Sequence, residues 1–216
     1  MAKQIANYLN YVYIDTGAMY RAVALYAIEN GMIKDNYVLR DDLIAALDKI
    51  KIRFTYNAST NKSETCLNGK NVEQSIRGME VSRHVSFISL IKEVRQKLVA
   101  LQREMGIEKG IVMDGRDIGT AVFPNAELKI FMTADKDIRV QRRFDELKSK
   151  GVSTSWEEVN ENLTTRDFED ANREENPLRQ AHDARVIDNS DLSMQEQFEL
   201  VKQWVNEVLA PLQAGQ

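Results

Sequence analysis

The 216-residue sequence has little cysteine, little proline and no long apolar run. Its single cysteine, Cys66, excludes an internal disulfide framework and a cysteine-based metal cluster built from this chain. Three prolines leave long segments uninterrupted, and no stretch approaches the roughly 18 apolar residues of a membrane span. The residues after Met1 also lack the apolar stretch of a secretion signal. These absences predict a soluble cytoplasmic protein with one elaborated domain or two small ones.

The sequence also lacks an excess of positive charge. It contains 29 Lys and Arg against 33 Asp and Glu, a formal net charge of −4. General nucleic-acid binders usually carry a basic excess that neutralises phosphates, so this class is disfavoured. The two histidines, His84 and His182, are far apart, and neither a nucleophile elbow nor an HExxH motif occurs. We therefore expect no activated side-chain nucleophile, and both histidines to be structural or solvent-facing.

Strands and helices alternate along much of the chain, which predicts an α/β fold with a parallel sheet. Residues 50–76 differ, because apolar and polar side chains alternate there between turn residues, and this pattern predicts a small antiparallel insertion. The end of a helix is predicted within the first ten residues. Two of the later strands, at 111–113 and 128–132, are predicted to be buried and parallel. Further strands are predicted at 11–14 and 186–187, and helices at 18–30 with Thr16 near the cap, 41–49, 81–105, 135–150, 156–173 and from the capping box at Ser193 onward.

Arginine recurs just after predicted strands, next to isolated aspartates. A guanidinium keeps its proton, and its planar fork matches phosphate oxygens, so this pattern indicates anion binding. In Asp15-Thr-Gly-Ala-Met-Tyr-Arg21 a helix start follows a strand, and free backbone N–H groups are available there. Asp114-Gly-Arg-Asp117 repeats this arrangement after another strand. The alternatives are a capped helix with a surface arginine in the first segment and a turn with an internal ion pair in the second.

Two predicted helices add further arginines. Arg166, Asp170 and Arg173 stand at i, i+4 and i+7 and would share one face of the helix at 156–173. Residues 139–143 carry a second arginine stripe on the preceding helix. On spacing alone, a solvated face that carries an Arg and Asp pair is the favoured alternative for both patterns.

Together these segments resemble the bacterial cytidylate kinase family, a branch of the nucleoside monophosphate kinases. The resemblance covers nearly the whole chain. It implies a P-loop NTPase-like parallel sheet flanked by helices, with a core of residues 1–38 and 79–216, a CMP-binding insertion at 39–78 and a helical lid at about 145–165. The motifs that carry it are Asp15-Thr-Gly-Ala-Met-Tyr-Arg21, Asp114-Gly-Arg-Asp-Ile-Gly-Thr-Ala-Val-Phe-Pro124, residues 139–150, Arg166-Asp-Phe-Glu-Asp-Ala-Asn-Arg173 and Asn176-Pro-Leu178.

The resemblance implies transfer of the γ-phosphoryl group of ATP to CMP or dCMP, with Mg²⁺ as cofactor. These nucleotides are the expected partners of a monomer that binds neither nucleic acid nor membrane. The acceptor phosphate is an ionised nucleophile, so positioning and charge neutralisation suffice for catalysis. By position, the resemblance assigns recognition of the cytosine to Ser86, Arg95 and Asp117, of the CMP phosphate to Arg21, Arg116 and Arg173, and of the ribose to Arg166 and Asp170. It also assigns a nucleotide contact to Thr16, ATP binding to Arg142 and Arg143, and water-mediated Mg²⁺ binding to Asp114. The residues with catalytic roles by resemblance are Arg116, Arg173 and Asp114.

The resemblance has two consequences for the backbone. Ser86 and Arg95 would point to opposite sides of a continuous helix, so the helix must break between them. The resembled family also carries a G-x-x-x-x-G-K-[ST] phosphate loop after a central strand, and no such run occurs in the 216 residues. Without that strand, the strands at 111–113 and 128–132 are expected to expose unpaired backbone groups, each costing roughly 1–3 kcal/mol if buried dry.

Three interpretations remain open from the sequence. The chain is an active kinase of CMP, dCMP or UMP, a truncated and catalytically impaired CMP-binding remnant, or a helical interaction protein with solvated charge stripes. They differ in whether nucleotide binds and whether ADP forms.

Overall fold

The computed structural model describes residues 1–34, 37–57 and 62–214. Contacts between residues divide the chain into two compact units. One contains residues 6–115 with Ala2, and the other contains the residues from Arg116 onward with Met1 and residues 3–5. The predicted division into a core and an insertion at 39–78 stays a prediction. Every helix in the described part of the chain is too short or too polar to span a lipid bilayer.

Parallel strands flanked by helices confirm the predicted α/β class. The helices of the described residues are α1 (Ala2–Leu9), α2 (Thr16–Glu29), α3 (Arg40–Ala46), α4 (Met79–Ser89), α5 (Lys92–Met105), α6 (Lys136–Ser149), α7 (Trp156–Asn172) and α8 (Met194–Ala214). The strands are β1 (Val12–Asp15), β2 (Ile33–Lys34), β3 (Tyr37–Val38), β4 (Ile52–Asn57), β5 (Lys62–Leu67), β6 (Lys70–Asn71), β7 (Ile111–Asp114), β8 (Ile130–Thr133) and β9 (Arg185–Asp188).

The core of the 6–115 unit surrounds α2. This helix is buried on most sides, with small residues such as Ala18 and Ala22 allowing close packing and Met19 and Val23 filling the space between elements. Strands β1 and β7 pair in parallel, so that their carboxyl-terminal residues Asp15 and Asp114 stand side by side. The register therefore brings the two predicted strand-end motifs together.

The predicted antiparallel insertion is confirmed by a three-stranded sheet in the order β4, β5, β6. Asn68 and Gly69 join β5 to β6 with φ angles of 50° and 85°. Asparagine and glycine tolerate this left-handed conformation, which suits a tight hairpin. The predicted turn at 57–62 lies partly outside the described residues, since nothing is described between Asn57 and Lys62. The short hairpin of β2 and β3 is not predicted by the sequence, because two-residue strands carry no measurable alternation.

The predicted helix break is also confirmed. The segment expected as one helix over 81–105 forms α4 and α5, separated at Leu90 and Ile91. Ile91 has extended backbone with ψ at 116°, which no α-helix tolerates, and its apolar side chain is buried. Burial of Ile91 thus stabilises the bend that separates Ser86 from Arg95.

In the other unit, β8 and β9 pair in parallel. Ser193 and Glu196 form the predicted capping box at the start of α8, each side chain accepting the other residue's backbone N–H. Ser155 and Glu158 cap α7 in the same way, in a box that is not among the elements predicted from the sequence. A single π-helical turn at Ile118–Val122, also not predicted, follows the arginine motif after β7.

Thr16 lies near the cap of α2, as predicted; the cap itself is Asp15, whose Oδ1 accepts the backbone N–H of Ala18 at 3.0 Å. One detail of the sequence prediction is wrong. The strands expected to be fully buried are not, because β7 is half-buried and Met132 of β8 is 41% exposed. Within the described residues β7 pairs only with β1 and β8 only with β9, so each is an edge strand. Whether a further strand belongs beside them stays a prediction.

Candidate anion-binding site

In the 6–115 unit, the start of α2 is a closely bonded cluster. Asp15 Oδ2 accepts a 3.0 Å hydrogen bond from Arg21 Nη2 one turn along the helix. Thr16 Oγ1 donates to the backbone carbonyl of Asp114 at 2.8 Å and ties α2 to the end of β7. A side chain at Gly17 would place its Cβ 3.0 Å from Asp15 Oδ1 and 3.3 Å from Arg21 Nη1. Any larger residue at position 17 would therefore crowd the paired ends of Asp15 and Arg21, which would have to shift by a few tenths of an ångström.

Asp114 carries a second strand-end carboxylate beside Asp15. Its Oδ2 accepts a 2.8 Å hydrogen bond from the Tyr13 hydroxyl. Burial, and next the Asp114 carboxylate, raise the pKa of Tyr13 far above its ordinary value, so the phenol stays a neutral donor. No set of three carboxylate, histidine or cysteine ligands forms among the described residues. Mg²⁺ commonly takes only one or two carboxylates and completes its shell with water and phosphate, and the exposed Asp114 fits that donor set.

Arg95 occupies a buried position in the same unit. It is 2% exposed, and its guanidinium carbon lies 5.5 Å from the centroid of the Tyr20 ring. Its Nη1 donates to the Ser89 carbonyl at 3.4 Å, just before the break between α4 and α5. The aromatic face and the carbonyl hold the planar guanidinium in one orientation. Ser86 lies one turn earlier on α4 and is half-buried.

In the unit that begins at Arg116, Arg173 lies against two carboxylates. Its Nη1 donates to Asp170 Oδ1 at 2.8 Å, and its Nη2 lies 3.7 Å from Asp117 Oδ1. Its Nε donates to the Asn176 carbonyl at 2.9 Å. Asp117 and Arg173 are both more than nine-tenths buried. This geometry fixes a guanidinium beside carboxylates that water reaches poorly.

Arg116 and Arg166 add positive charge to this cluster. Arg116 Nε donates to Asp170 Oδ2 at 2.9 Å, so Asp170 is shared between Arg116 and Arg173. Desolvation, and next the nearby charge of Arg116, lower the pKa of Arg166. The guanidinium groups of Arg116, Arg166 and Arg173 outnumber the carboxylates of Asp117 and Asp170 beside them. The cluster therefore favours a bound anion.

The arginines of α6 have other partners. Arg142 donates to the Asn189 side chain at 3.0 Å and to the carbonyls of Asn189 and Ser190 at 2.8 and 2.9 Å. Arg143 pairs with Glu146 on its own helix at 2.7 Å. Arg139, on the same predicted stripe, pairs with Asp167 of α7. Arg142 thus fixes the chain after β9, and Arg143 lies in a local exposed pair.

Within each unit, the structure brings together most of the predicted residues. Thr16 and Asp114 meet beside Arg21, and Asp117, Asp170 and Arg173 meet beside Arg116. As expected, His84 is buried, and the side chain of His182 is 95% exposed. Residues not assigned from sequence reasoning also belong to these clusters: Tyr13, Asp15, Glu73 and Arg77.

An α/β fold with arginine and aspartate clusters at the ends of parallel strands is typical of nucleoside monophosphate kinases. The sequence profile described as cytidylate kinase matches residues 1–207. Proteins named cytidylate kinase from Flavobacterium johnsoniae and Parabacteroides distasonis are 54% and 53% identical to the chain, over 97% and 96% of its length and 91% and 89% of theirs. A third from Porphyromonas gingivalis is 50% identical over 96% of the chain and 88% of its own length. The chain belongs to the cytidylate kinase family.

Proposed function

We propose that the chain transfers the γ-phosphoryl group of ATP to CMP or dCMP, giving ADP and CDP or dCDP. The observation that carries the proposal is that Arg116 and Arg173, which come from two of the motifs that carry the resemblance, share Asp170. Family membership supplies the substrate, because relatives named cytidylate kinase match almost the whole chain. The single cysteine leaves the chain without an internal disulfide, which fits action in a reducing compartment such as the cytoplasm.

The acceptor phosphate is the natural partner of three arginines. We assign it to Arg21, Arg116 and Arg173, whose guanidinium groups stay charged at any physiological pH. Asp15 orients Arg21, and Asp170 orients the other two. Fixed donors of this kind are effective in catalysis because they need no reorganisation when charge shifts to the transferred group.

The sugar and base have partners of matching chemistry. Arg166 and Asp170 are proposed for the ribose hydroxyls, which both donate and accept hydrogen bonds. Cytosine offers acceptors at O2 and N3, suited to Arg95 and the Ser86 hydroxyl, and an amino donor suited to Asp117. Arg95 and Asp117 are buried and Ser86 is half-buried, which suits recognition of a base that has lost its contact with water.

The reaction needs no catalytic base, since an ionised phosphate oxygen of CMP is the nucleophile. The residues of the chain bind, orient and neutralise. Mg²⁺ would be held through water by Asp114, where it supplies charge neutralisation of the phosphates. For ATP we propose Arg143 and Arg142, the latter acting while it supports the chain after β9.

Calorimetric titration with CMP and a coupled assay for ADP formation test the proposal together. We expect CMP to bind in the low-micromolar to millimolar range common for enzyme substrates, and ADP to form only when ATP, Mg²⁺ and acceptor are all present. Comparison of CMP, dCMP and UMP as acceptors ranks the substrates. Arg173→Met should weaken CMP binding.

Each alternative has its own outcome. CMP binding without ADP formation would contradict the kinase and support a CMP-binding remnant, an alternative motivated by the absence of a G-x-x-x-x-G-K-[ST] run from the 216 residues. If titration of folded protein with CMP releases no heat beyond dilution, and Arg21→Met and Arg173→Met give the same trace, the result would support an interaction protein.

A further inference from the structure

A chain of ion pairs links the three-stranded insertion to the start of α2, and none of the nucleotide assignments above includes its central residue, Arg77. Arg77 belongs to a short 3₁₀ turn, Ser75–Arg77, that follows β6. Its Nη2 donates to Asp15 Oδ2 at 3.0 Å, across 62 positions of sequence. The same Nη2 donates to Glu73 Oε1 at 2.9 Å, and its Nε reaches that oxygen at 3.2 Å.

Glu73 is itself fixed by the insertion. Its Oε2 accepts two hydrogen bonds from Thr65 of β5, from the backbone N–H at 3.0 Å and from the hydroxyl at 2.8 Å. Thr65 is 1% exposed, so the hydrogen bonds that hold Glu73 lie in the packed interior. Glu73 therefore holds Arg77 with one oxygen while the other is held by a buried strand. Arg77 has little freedom to leave Asp15.

At the other end, Arg77 competes with Arg21. Both guanidinium groups donate to the same atom, Asp15 Oδ2, each at 3.0 Å. The second oxygen of Asp15 is engaged with the backbone N–H of Ala18. Two guanidinium groups at one carboxylate oxygen repel each other, so the net attraction on each is weaker than it would be for one alone. Arg77 thus reduces the hold of Asp15 on Arg21.

We propose that Arg77 is a positioning residue for the acceptor phosphate: fixed by Glu73, it shares Asp15 with Arg21 and leaves the Arg21 guanidinium available to the phosphate of CMP. This inference rests on the proposed function, in which Arg21 binds that phosphate. Burial opposes the charged form of Arg77, but Glu73 and Asp15 more than compensate and raise the pKa of Arg77, which keeps the competing cation in place.

The test is a double-mutant cycle between Arg77 and Asp15. We expect Arg77→Met to raise the dissociation constant for CMP about five- to tenfold, the effect of one charge-assisted contact. The affinity for cytidine, which has no phosphate, should not change. Arg77→Lys should restore part of the CMP affinity, because a lysine still shares the Asp15 charge.

Asp15→Asn makes the cycle specific. Asparagine caps helices as well as aspartate does, so α2 keeps its cap while the contested charge disappears. In the Asp15→Asn background, Arg77→Met should no longer weaken CMP binding. An equal loss in both backgrounds would overturn the inference, because Arg77 would then act on the phosphate directly through its own charge.

A matched control and a second readout complete the experiment. Arg185→Met removes a comparably exposed ion pair, with Glu207, in the other unit and should leave CMP affinity unchanged. Failure of the unmodified protein to bind CMP would contradict the proposed function. The inference can then be tested without ligand, because nitrogen NMR measures the rate at which the Arg21 guanidinium rotates. Arg77→Met should slow this rotation, and an unchanged rate would overturn the competition for Asp15.

Discussion

Arg173 Nη1 donates a 2.8 Å hydrogen bond to Asp170 Oδ1, although Arg173 lies one residue beyond the end of α7. The bond is possible because the arginine turns back along the helix and its Nε donates to the Asn176 carbonyl. Asn176 has a φ of 49°, a left-handed conformation that asparagine tolerates better than most residues. The local chain geometry after α7 therefore sets the position of the most buried phosphate ligand proposed.

Arg173→Met should destabilise the fold as well as weaken CMP binding. It leaves the buried Asp117 and the largely buried Asp170 without this cation, and loss of one partner from a buried pair costs about 3–5 kcal/mol. Since Asp170 keeps Arg116, the lower end of that range is expected in urea unfolding. Arg173→Lys should recover part of the stability, because it retains charge but not the fork. A loss below about 1 kcal/mol in Arg173→Met, typical of an exposed pair, would contradict this account.

Glu73 makes stability depend on pH in a predictable direction. Burial opposes its ionisation, but hydrogen bonds from Arg77 and Thr65 prevail and hold the pKa of Glu73 below its ordinary value of 4.5. Its contribution is therefore complete above about pH 4.5 and is lost as pH falls through the lowered pKa. Glu73→Gln should lower the free energy of unfolding by about 1–2 kcal/mol at pH 7.

The same difference should shrink as pH falls below 4.5, because the parent protein then loses the charged contact too. Denaturant unfolding of both proteins from pH 7 to the lowest pH at which they fold measures this. A difference that stays constant over the whole range would show that Glu73 acts without its charge.

Arg95 and Tyr20 make a prediction about base recognition. Arg95→Met should weaken CMP and cytidine binding by the same factor, about tenfold or more, because the guanidinium is proposed to contact the base and not the phosphate. Tyr20→Phe should keep most of the affinity, since the ring beneath the guanidinium remains. Calorimetry with both ligands checks this, and a loss confined to CMP would assign Arg95 to the phosphate instead.

Local signals in the sequence were sufficient for much of the fold. The capping box at Ser193 follows from its spacing, whereas the break between α4 and α5 follows only from the roles that the family resemblance gives to Ser86 and Arg95. Thr16 is predicted near the cap of α2, and the end of β1 decides that its neighbour Asp15 is the cap.

Contacts between distant residues left no local signal. The pairing of Asp15 with Arg77 joins residues 62 positions apart, and Arg77 would have stood out only as the i+4 partner of Glu73. The burial of strands β7 and β8 was overestimated because apolar runs predict central strands, whereas burial depends on neighbours that the run does not specify.

The capping box of α7 connects local helix chemistry with the arginine cluster. Ser155 Oγ accepts the backbone N–H of Glu158 at 3.1 Å, and Glu158 accepts that of Ser155 at 2.8 Å. Ser155→Ala should cost about 1 kcal/mol, the usual value of an N-cap. The effect on α8 of Ser193→Ala provides the matched comparison, because its box has the same pattern.

Neither of the two variants should disturb the arginine cluster. Helix α7 carries Arg166 and Asp170, so fraying of its first turn is expected to remain local only if the later turns stay packed through Val159, which is 4% exposed. We therefore expect Ser155→Ala and Ser193→Ala to lower stability by similar amounts and to leave CMP affinity within about twofold of the parent, since a cap acts within the first turn. Hydrogen exchange should speed up at residues 156–159 and not at Asp170. A tenfold loss of CMP affinity in Ser155→Ala alone would instead show that α7 shifts as a rigid body when its cap is removed.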